Sequence, residues 1–220
     1  MGAIALPKQT FFNLSEEKRG RIIGCALAEF ADKGYKQASI SRIVEAAEIA
    51  KGSFYQYFED KDDLYVHIVV TQIGEPKLGI INREAERLNE MKMGDYIRHL
   101  AMTQLDALTA QPELIKISFD LMGMPPNEPV LQKVMKNFDG SFNSHALNII
   151  QRKIDQGEID SRVDPHLLSF MLTGIEQYEY HLFHSGAFIH IDGDLINKLV
   201  DNLNFILTNG IYTQAGKPVD

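Results

Sequence analysis

The sequence predicts an all-α protein, with a small three-helix domain at the N-terminus and a larger helical domain behind it. Three observations predict this class. Apolar residues recur at intervals of three and four through most of the 220 residues, which is the spacing of one buried helix face. Ser, Asp or Pro precedes several of these stretches and Gly follows several of them, as at helix ends. No stretch alternates apolar and polar residues as a half-buried strand does.

The first predicted helix begins after Ser15, whose hydroxyl can cap the first turn. Glu16 and Glu17 follow it and suit the positive end of the helix dipole. Gly34 is placed to end the helix, because it adopts the left-handed conformation at low cost. We expect residues 1–12 to be loosely ordered. The buried stripe of this helix comprises Ile22, Ile23, Ala26, Leu27 and Phe30.

The most informative stretch reads SISRIVEAAEIAKGSFYQYFEDK, from Ser39 to Lys61. Ser39 is a good N-cap, and the apolar face that follows it includes Ile43 and Val44. After a break near Glu48 comes a second short helix, which Phe54 and Phe58 would anchor on the core. The outer side of that helix carries small, hydroxylated and aromatic residues. This is the arrangement with which a helix-turn-helix presents a reading head to the DNA major groove.

The rest of the chain is predicted to be helical. Prolines in the segment MGMPPNEP, residues 122–129, predict a loop there. Pro112 fits a first helical turn, and Asp164 followed by Pro165 fits a capped helix start. We expect residues 212–220 to be loosely ordered. The predicted helices span residues 63–72, 78–91, 95–110, 130–156 (ending at Gly157), 165–185 and 194–209 (ending at Gly210), and a further helix begins at Pro112 and carries Leu114, Ile115, Ile117 and Phe119.

Charge is unevenly distributed along the chain. Residues 1–61 contain nine Lys and Arg and eight Asp and Glu, a balance of +1, which leaves −9 for the remainder of a chain whose net charge is −8. A strongly acidic segment, residues 62–220, attached to the near-neutral residues 1–61 would suppress non-specific DNA binding. The alternative, that these acids form an ordinary solvated surface, stays open.

The single cysteine excludes an internal disulfide and fits a reducing compartment. Cys25 is interpreted as a small buried apolar residue in preference to a redox sensor, because no second cysteine is available as its partner. There is no apolar run of transmembrane length and no secretion-signal pattern at the start. We therefore expect a cytoplasmic protein without a membrane partner.

Residues 15–64 resemble the DNA-binding domain of the TetR/AcrR family of bacterial transcription factors. The resemblance departs from the family pattern at Glu48, where the family has Gly in the turn. If this position requires a positive φ, Glu costs roughly 1 kcal/mol relative to Gly. The matching residues are Phe30, Gly34, Ser39, Ile43, Gly52, Tyr55, Tyr57, Phe58, Lys61 and Leu64.

The resemblance implies a DNA-binding domain at residues 1–61 and an effector-binding and dimerisation domain at residues 62–220. The expected DNA contacts fall into classes that either read bases or position the backbone. Gly52 would let a phosphate strand approach closely. Lys51, Ser53 and Gln56 are expected nearest to base edges, Ser39, Tyr55, Tyr57 and Lys61 at phosphates, and Ser41 and Arg42 at either.

The family also has an effector cavity among its middle helices and a two-subunit four-helix bundle near its C-terminus. For both sets of residues a purely internal core is the alternative. A two-fold dimer would place two reading helices in successive major grooves, so a palindromic operator is expected. The cavity candidates are Met102, Leu105, Phe119, Met122, Phe142, Met171 and Tyr178, and the dimer candidates are Leu167, Phe170, Gly174, Leu195, Leu199, Leu203 and Ile206.

The sequence is therefore interpreted as a homodimeric, ligand-responsive transcriptional regulator, a repressor that a small apolar or amphipathic effector releases from double-stranded DNA. Two alternatives stay open: an effector-independent cell-division or nucleoid factor on the same fold, and a helical small-molecule-binding protein without an operator. No motif of enzyme chemistry or of a cofactor site is present. His181 and His184 have a spacing that can bind a metal, with Glu176 or Glu179 nearby, but no third ligand falls at a convincing spacing, so we expect no metal site.

Overall fold

A computed structural model describes residues 7–76, 79, 83–138, 141–172 and 193–209, and within these ranges the chain forms helices and no strands. This confirms the all-α prediction. The chain forms two compact units. The first comprises residues 1–86 and 111–148, and the second comprises residues 87–110 and 149–220.

The segment that resembles a helix-turn-helix lies among the N-terminal helices. The N-terminal helices are α1 (Gln9–Phe12), α2 (Glu16–Gln37), α3 (Ile40–Ala46), α4 (Lys51–Tyr57) and α5 (Lys61–Ile68), which runs on into a π-helical turn (Val69–Gly74). After α6 (Ala85–Glu90) and α7 (Met93–Ala110), the chain continues through α8 (Pro112–Met122), α9 (Pro129–Phe138) and α10 (Ser141–Asp155). Residues 165–172 are helical, and α11 spans Gly193–Asn209.

The short helix α1 contradicts the expectation that residues 1–12 are loosely ordered. Phe11 is buried, and its ring lies 4.9 Å from the ring of Phe58. Arg19 donates to the carbonyl oxygens of Phe12 at 2.7 Å and Leu14 at 3.1 Å, which ties this segment to α2. Burial of an aromatic side chain therefore orders residues 8–12. Residues 1–6 and 212–220 lie outside the described residues.

Helix α2 begins after Ser15 and is kinked at Gly34, the two residues that the sequence predicted at its ends. The Ser15 hydroxyl accepts from the Lys18 amide at 3.3 Å. At Gly34 the backbone turns to φ 69°, ψ 164°, a conformation that is essentially restricted to glycine. The kink points the amide of Tyr35 at the Asp120 carboxylate, 2.8 Å away, although helical residues continue to Gln37.

The first unit has one continuous apolar core. Phe30 of α2, Ile43 of α3 and Phe54 of α4 are almost completely buried in it, as the helical spacing predicted. Ile117 of α8 and Val134 of α9 are buried in the same cluster. Helices α2, α3 and α4 therefore share their core with helices that lie more than fifty residues further along the chain. Cys25 is half-buried and packs against this core.

The later helix boundaries agree with the capping chemistry in most places. Pro112 occupies the first turn of α8, and Asp164 accepts from the amide of Leu167 at 2.8 Å. Gly157 has φ 72°, as expected of a residue that ends a helix. The predicted helix over residues 130–156 appears as two helices, α9 and α10, and residues 139–140 between them lie outside the described residues.

The second unit has its own core and a set of polar ties. The buried side chain of Lys153 donates to the carbonyl of Asn89 at 3.1 Å and lies 3.5 Å from Glu158. Glu158 in turn accepts from the amide of Met93 at 2.5 Å, which caps the start of α7. The core of this unit comprises Leu88, Met93, Tyr96, Ile149, Ile150 and Leu168.

Helix α11 packs along α7, and Arg98 of α7 donates two hydrogen bonds to it, one of which is also an ion pair. Arg98 donates to the amide oxygen of Asn197 at 2.8 Å and to the carboxylate of Asp201 at 2.5 Å. Val200, one residue before Asp201, is buried. These contacts fix which side of α11 faces its own chain.

His67 lies within the aromatic cluster that α1 completes. Its ring centroid is 5.6 Å from that of Phe11 and 6.2 Å from that of Phe58. Among the described residues no hydrogen-bond partner reaches its buried Nδ1 atom. Burial lowers the pKa of the imidazole from 6.5 to about 4, because the charged form is poorly solvated there.

We expect acid to destabilise the protein through His67. Because the folded-state pKa lies below the unfolded value, the unfolded state binds more protons between pH 6.5 and 4. Stability is therefore complete above about pH 6.5 and falls as the pH approaches 4. Allowing for partial exposure, wild type should lose about 2 kcal/mol more than His67→Phe between pH 7 and pH 4, measured by urea unfolding. Equal losses in the two proteins would assign the acid sensitivity to other groups.

Candidate DNA-binding surface

The turn between α3 and α4 has a positive φ at the position where the family pattern has Gly. The amides of Ala47 and Ile49 donate to the carbonyls of Ile43 at 2.9 Å and Val44 at 3.0 Å. Glu48 lies between them with φ 54°, the one described non-glycine residue with a positive φ. Its carboxylate is exposed and 3.7 Å from Arg21, a surface pair that contributes little. The turn therefore keeps its shape with a residue that strains it.

Glu48→Gly is expected to stabilise the protein by up to about 1 kcal/mol. Glycine removes the contact between Cβ and the carbonyl oxygen that disfavours the left-handed conformation. Urea unfolding at neutral pH measures the change. Glu48→Ala is the matched control, since alanine loses the carboxylate but keeps the Cβ and the strain. If alanine stabilised as much as glycine, the strain would not be the cause.

Helices α3 and α4 turn one common side toward solvent. Phe54 is completely buried on the inner side of α4, while Tyr55 is 44% exposed. The Lys51 ammonium donates to the Ser41 hydroxyl at 3.2 Å, which joins the two helices at this surface. Around Gly52 there is open space, because a Cβ added there would meet no atom within 4 Å. The exposed candidates are Ser41, Arg42, Lys51, Gly52, Tyr55 and Gln56, and the half-buried ones are Ser39, Ser53 and Lys61.

Glu29 of α2 organises the start of α3. Its carboxylate accepts from the amide of Ser39 at 2.8 Å and from the Arg42 guanidinium at 2.6 Å. Arg42 also donates to the carbonyl of Gln37 at 2.8 Å. Its hydrogen bond to Glu29 lowers the pKa of that carboxyl, so the pair is charged at neutral pH. Arg42 therefore fixes the corner between α2 and α3, and much of its donor capacity is already used.

The Ser39 hydroxyl does not form the capping hydrogen bond that the sequence predicted. Ser39 stands at the N-cap position of α3 in an extended conformation, but its side chain makes no capping hydrogen bond. The prediction of a capping hydroxyl is wrong, because Glu29 positions this residue through its backbone amide. The hydroxyl is left for other partners.

Tyr57 and Lys61 are placed mainly toward the protein. Tyr57 is 6% exposed, and its ring is 6.2 Å from that of Phe11. The Lys61 ammonium donates to the carbonyl of Tyr35 at 2.6 Å and to those of Lys36 and Ala38 at 3.2 Å. Lys61 thus satisfies the carbonyls at the end of α2, where helix polarity favours a cation. The side chains of Tyr57 and Lys61 are therefore not among the proposed DNA contacts.

Sequence reasoning missed the residues that hold the far end of α4. Lys8 and Thr10 donate to backbone carbonyls of α4, and Phe11 packs beneath them. The local signal was the pair Phe11 and Phe12, two aromatic residues shortly before the Ser15 cap. Such residues rarely stand in a disordered end without packing against something.

The effector candidates do not form one described group. Phe119 and Met122 belong to the first unit, whereas Met102 and Met171 belong to the second. Phe119 is buried and Met171 is 54% exposed. The side chains of Leu105 and Phe142, and all of Tyr178, lie outside the described residues. The effector residues therefore stay a prediction.

The dimer candidates lie on exposed apolar stretches of the second unit. Phe170 is 74% exposed and Leu167 is 59% exposed, in the helical residues 165–172. Ile206 is 45% exposed near the end of α11. Met171, Phe205 and Leu207 add to the apolar surface of the two stretches. Leu195, Leu199 and Leu203 are half-buried, and Gly174 lies outside the described residues.

Within the ranges that the structure describes, no group of three or more His, Cys, Asp or Glu lies close enough to hold a metal ion. His181 and His184 lie outside those ranges. No helix of the described part of the chain combines the length and the apolar character needed to cross a membrane.

Comparison with known proteins places this surface in a family. Residues 22–68 match the family model of bacterial regulatory proteins of the tetR family. The chain is 27% identical over 154 residues to the fatty acid metabolism regulator protein of Bacillus subtilis (strain 168), which covers 70% of this chain and 77% of that protein. It is 43% identical over 51 residues to the transcriptional regulator HbdR of Aromatoleum sp. (strain CIB), which covers 23% and 22% of the two chains.

The fold has a solved counterpart. A crystal structure of the transcriptional regulator FadR from Bacillus subtilis, in complex with stearoyl-CoA, superimposes with a TM-score of 0.69 at 23% identity. The match covers 87% of this chain and 98% of that one. The matched residues 22–68 contain the turn at Glu48 and the surface of α3 and α4 described above. Residues 22–68 therefore form a DNA-binding domain of the tetR family, in a chain that is similar over most of its length to transcriptional regulators.

Proposed function

We propose that the protein is a homodimeric repressor that binds a palindromic operator and leaves it when a long-chain acyl thioester binds. The observation that carries this proposal is the solvent-facing side of α3 and α4, with an open approach at Gly52 and a lysine and hydroxyl pair beside it. Such a surface fits a major groove and its flanking phosphates.

The proposed DNA contacts follow the exposure of the side chains. Lys51, Ser53 and Gln56 lie on α4 and would read base edges, because Lys and Gln form paired hydrogen bonds with guanine and adenine. Ser41 and Tyr55, together with the Ser39 hydroxyl, would bind phosphates. Arg42 would act mainly by holding α3 in place through Glu29.

The proposed dimer uses the exposed apolar side of the helical residues 165–172 and of α11. Phe170 and Ile206, at 74% and 45% exposure, are large apolar side chains of the kind that an interface between subunits buries. Arg98 engages the other side of α11, so the side that is exposed among the described residues would face the second subunit. A two-fold pair of reading heads would then require two half-sites in inverted orientation.

The proposed effector class comes from a relative. The FadR of Bacillus subtilis was crystallised with stearoyl-CoA, an amphipathic ligand. A long-chain acyl thioester of coenzyme A combines a long apolar chain with a charged head, in agreement with the amphipathic effector expected from the sequence. Release from DNA would follow if the ligand prefers a state of the dimer whose two heads do not fit the operator, since each ligand then weakens the other's affinity.

The proposal is tested by selecting bound duplexes from a random 30-base-pair library with the full-length protein. We expect one palindromic site, with half-sites separated by one or more helical turns. Stearoyl-CoA should then lower affinity for that site about tenfold or more, while coenzyme A or stearate alone should not. A specific site without ligand-dependent release would favour an effector-independent DNA-binding factor. Absence of any nanomolar site at physiological salt would favour a small-molecule-binding protein.

Gly52→Ala provides a sharper test of the reading surface. The added methyl meets no protein atom within 4 Å, so stability should stay unchanged or rise by up to about 1 kcal/mol. On DNA it would obstruct the approach of the sugar-phosphate strand, and we expect at least about tenfold weaker operator binding. Gly24→Ala, on α2 with equally open surroundings, is the matched control and should bind normally. Undiminished binding by Gly52→Ala would remove α4 from the interface.

A further inference from the structure

The C-terminal end of α4 is held by residues that lie outside the helix-turn-helix. Helix α4 has seven residues and no side-chain cap at its start, and isolated helices of this length are marginal in water. Of its last four carbonyls, that of Phe54 accepts from the amide of Phe58 at 2.9 Å. The following three have no intrahelical partner, as at any helix end.

Those three carbonyls accept from two residues of the N-terminal segment. The Lys8 ammonium donates to Tyr55 O at 3.0 Å, and the Lys8 amide donates to Tyr57 O at 2.7 Å. The Thr10 hydroxyl donates to Gln56 O between them. Lys8 also places a positive charge at the negative end of the α4 dipole.

The segment is itself firmly anchored. Phe11 is 2% exposed and lies in the aromatic cluster with Phe58 and His67. On its far side Arg19 of α2 binds the carbonyl of Phe12. The donors of Lys8 and Thr10 are therefore fixed to the body of the first unit and connect the outer end of α4 to it.

We propose that residues 8–11 are a positioning segment for α4, and that sequence-specific DNA binding depends on them. The inference rests on the proposed operator function. Tyr55 and Gln56 are at once proposed DNA contacts and the residues whose carbonyls the segment holds. Misplacement of a contact by about 1 Å costs much of its hydrogen-bond energy, so a loosened helix end reads bases less well while phosphate attraction survives.

The test compares Thr10→Val with Thr10→Ser in the full-length protein. Valine keeps the shape of threonine but lacks the hydroxyl, and serine retains it. On the site that wild type selects from the random library, Thr10→Val should bind about three- to tenfold more weakly, whereas on a scrambled duplex it should bind as wild type does. Thr10→Ser should restore the specific affinity. The slope of log affinity against log salt should be unchanged, because the substitution removes no positively charged side chain.

A second measurement reads the helix end without DNA. Amide hydrogen exchange at Phe58, whose amide closes the last turn of α4, should be faster in Thr10→Val than in wild type or Thr10→Ser. Wild-type affinity and exchange in Thr10→Val would overturn the inference. An equal loss on specific and scrambled duplexes would also overturn it, since that pattern marks a direct phosphate contact. Failure of the operator proposal is distinguishable, because wild type alone would then select no site.

Discussion

Gly34→Ala is expected to lower the free energy of unfolding by about 3 kcal/mol. Gly34 has φ 69° and ψ 164°, which a residue with a Cβ adopts only under strain. An added Cβ would also lie 3.0 Å from the Asp120 carboxylate. That carboxylate accepts from the amide of Tyr35 and cannot retreat without breaking the bond. Urea unfolding of the two proteins at neutral pH gives the difference.

Two further variants separate the causes of this loss. Gly24→Ala lies in the same helix with open surroundings, and it should stabilise by up to about 1 kcal/mol. Asp120→Ala combined with Gly34→Ala should cost less than the two single changes added together, because the contact with the new methyl disappears. Additive losses would show that backbone strain alone is responsible. A loss below about 1 kcal/mol in Gly34→Ala would contradict the strained conformation itself.

Phe170→Glu combined with Ile206→Glu is expected to convert a dimer into monomers and to reduce operator affinity about a hundredfold or more. Both side chains are exposed within the apolar stretches proposed to bury one another in the dimer. Paired carboxylates at a desolvated interface have no partners and are expensive to bury. Sedimentation equilibrium gives the assembly state, and titration of the selected operator gives the affinity.

The matched control for this pair is Met135→Glu. Met135 is a large apolar residue of α9 that is 48% exposed, close to the value for Ile206, but it belongs to the first unit. It should leave both assembly and operator affinity unchanged. If the double variant remained dimeric, the subunits would associate through another surface. If it became monomeric but kept full operator affinity, the two reading heads would act independently.

The sequence predicted those features that depend on neighbouring residues. The Ser15 and Asp164 caps and the turn at Gly34 each follow from one side chain or from the absence of one. Phe54 and Phe58 were correctly placed in the core from their four-residue spacing. The positive φ of Glu48 agrees with the family pattern, which has Gly at this position.

Features that depend on distant residues were missed. Tyr35 and Asp120 are 85 residues apart in the chain, so no local pattern indicates their hydrogen bond. Lys61 donates to the carbonyl of Tyr35 on α2, a contact that no local pattern indicates. The π-helical turn Val69–Gly74 continues α5 with an apolar pattern that also suits an α-helix. The partners of Tyr35 and Lys61 are set by packing between distant parts of the chain, which a local sequence pattern does not contain.

The continuous core of the first unit limits how the reading head can be transplanted. A chimeric regulator made by joining residues 7–61 to another body would remove Ile117, Val130 and Val134 from the apolar cluster to which Phe30 and Phe54 belong. It would also lose the Asp120 acceptor at the kink of α2. A functional exchange of DNA specificity should therefore carry residues 111–138 together with the head, or replace only the outward side chains of α3 and α4.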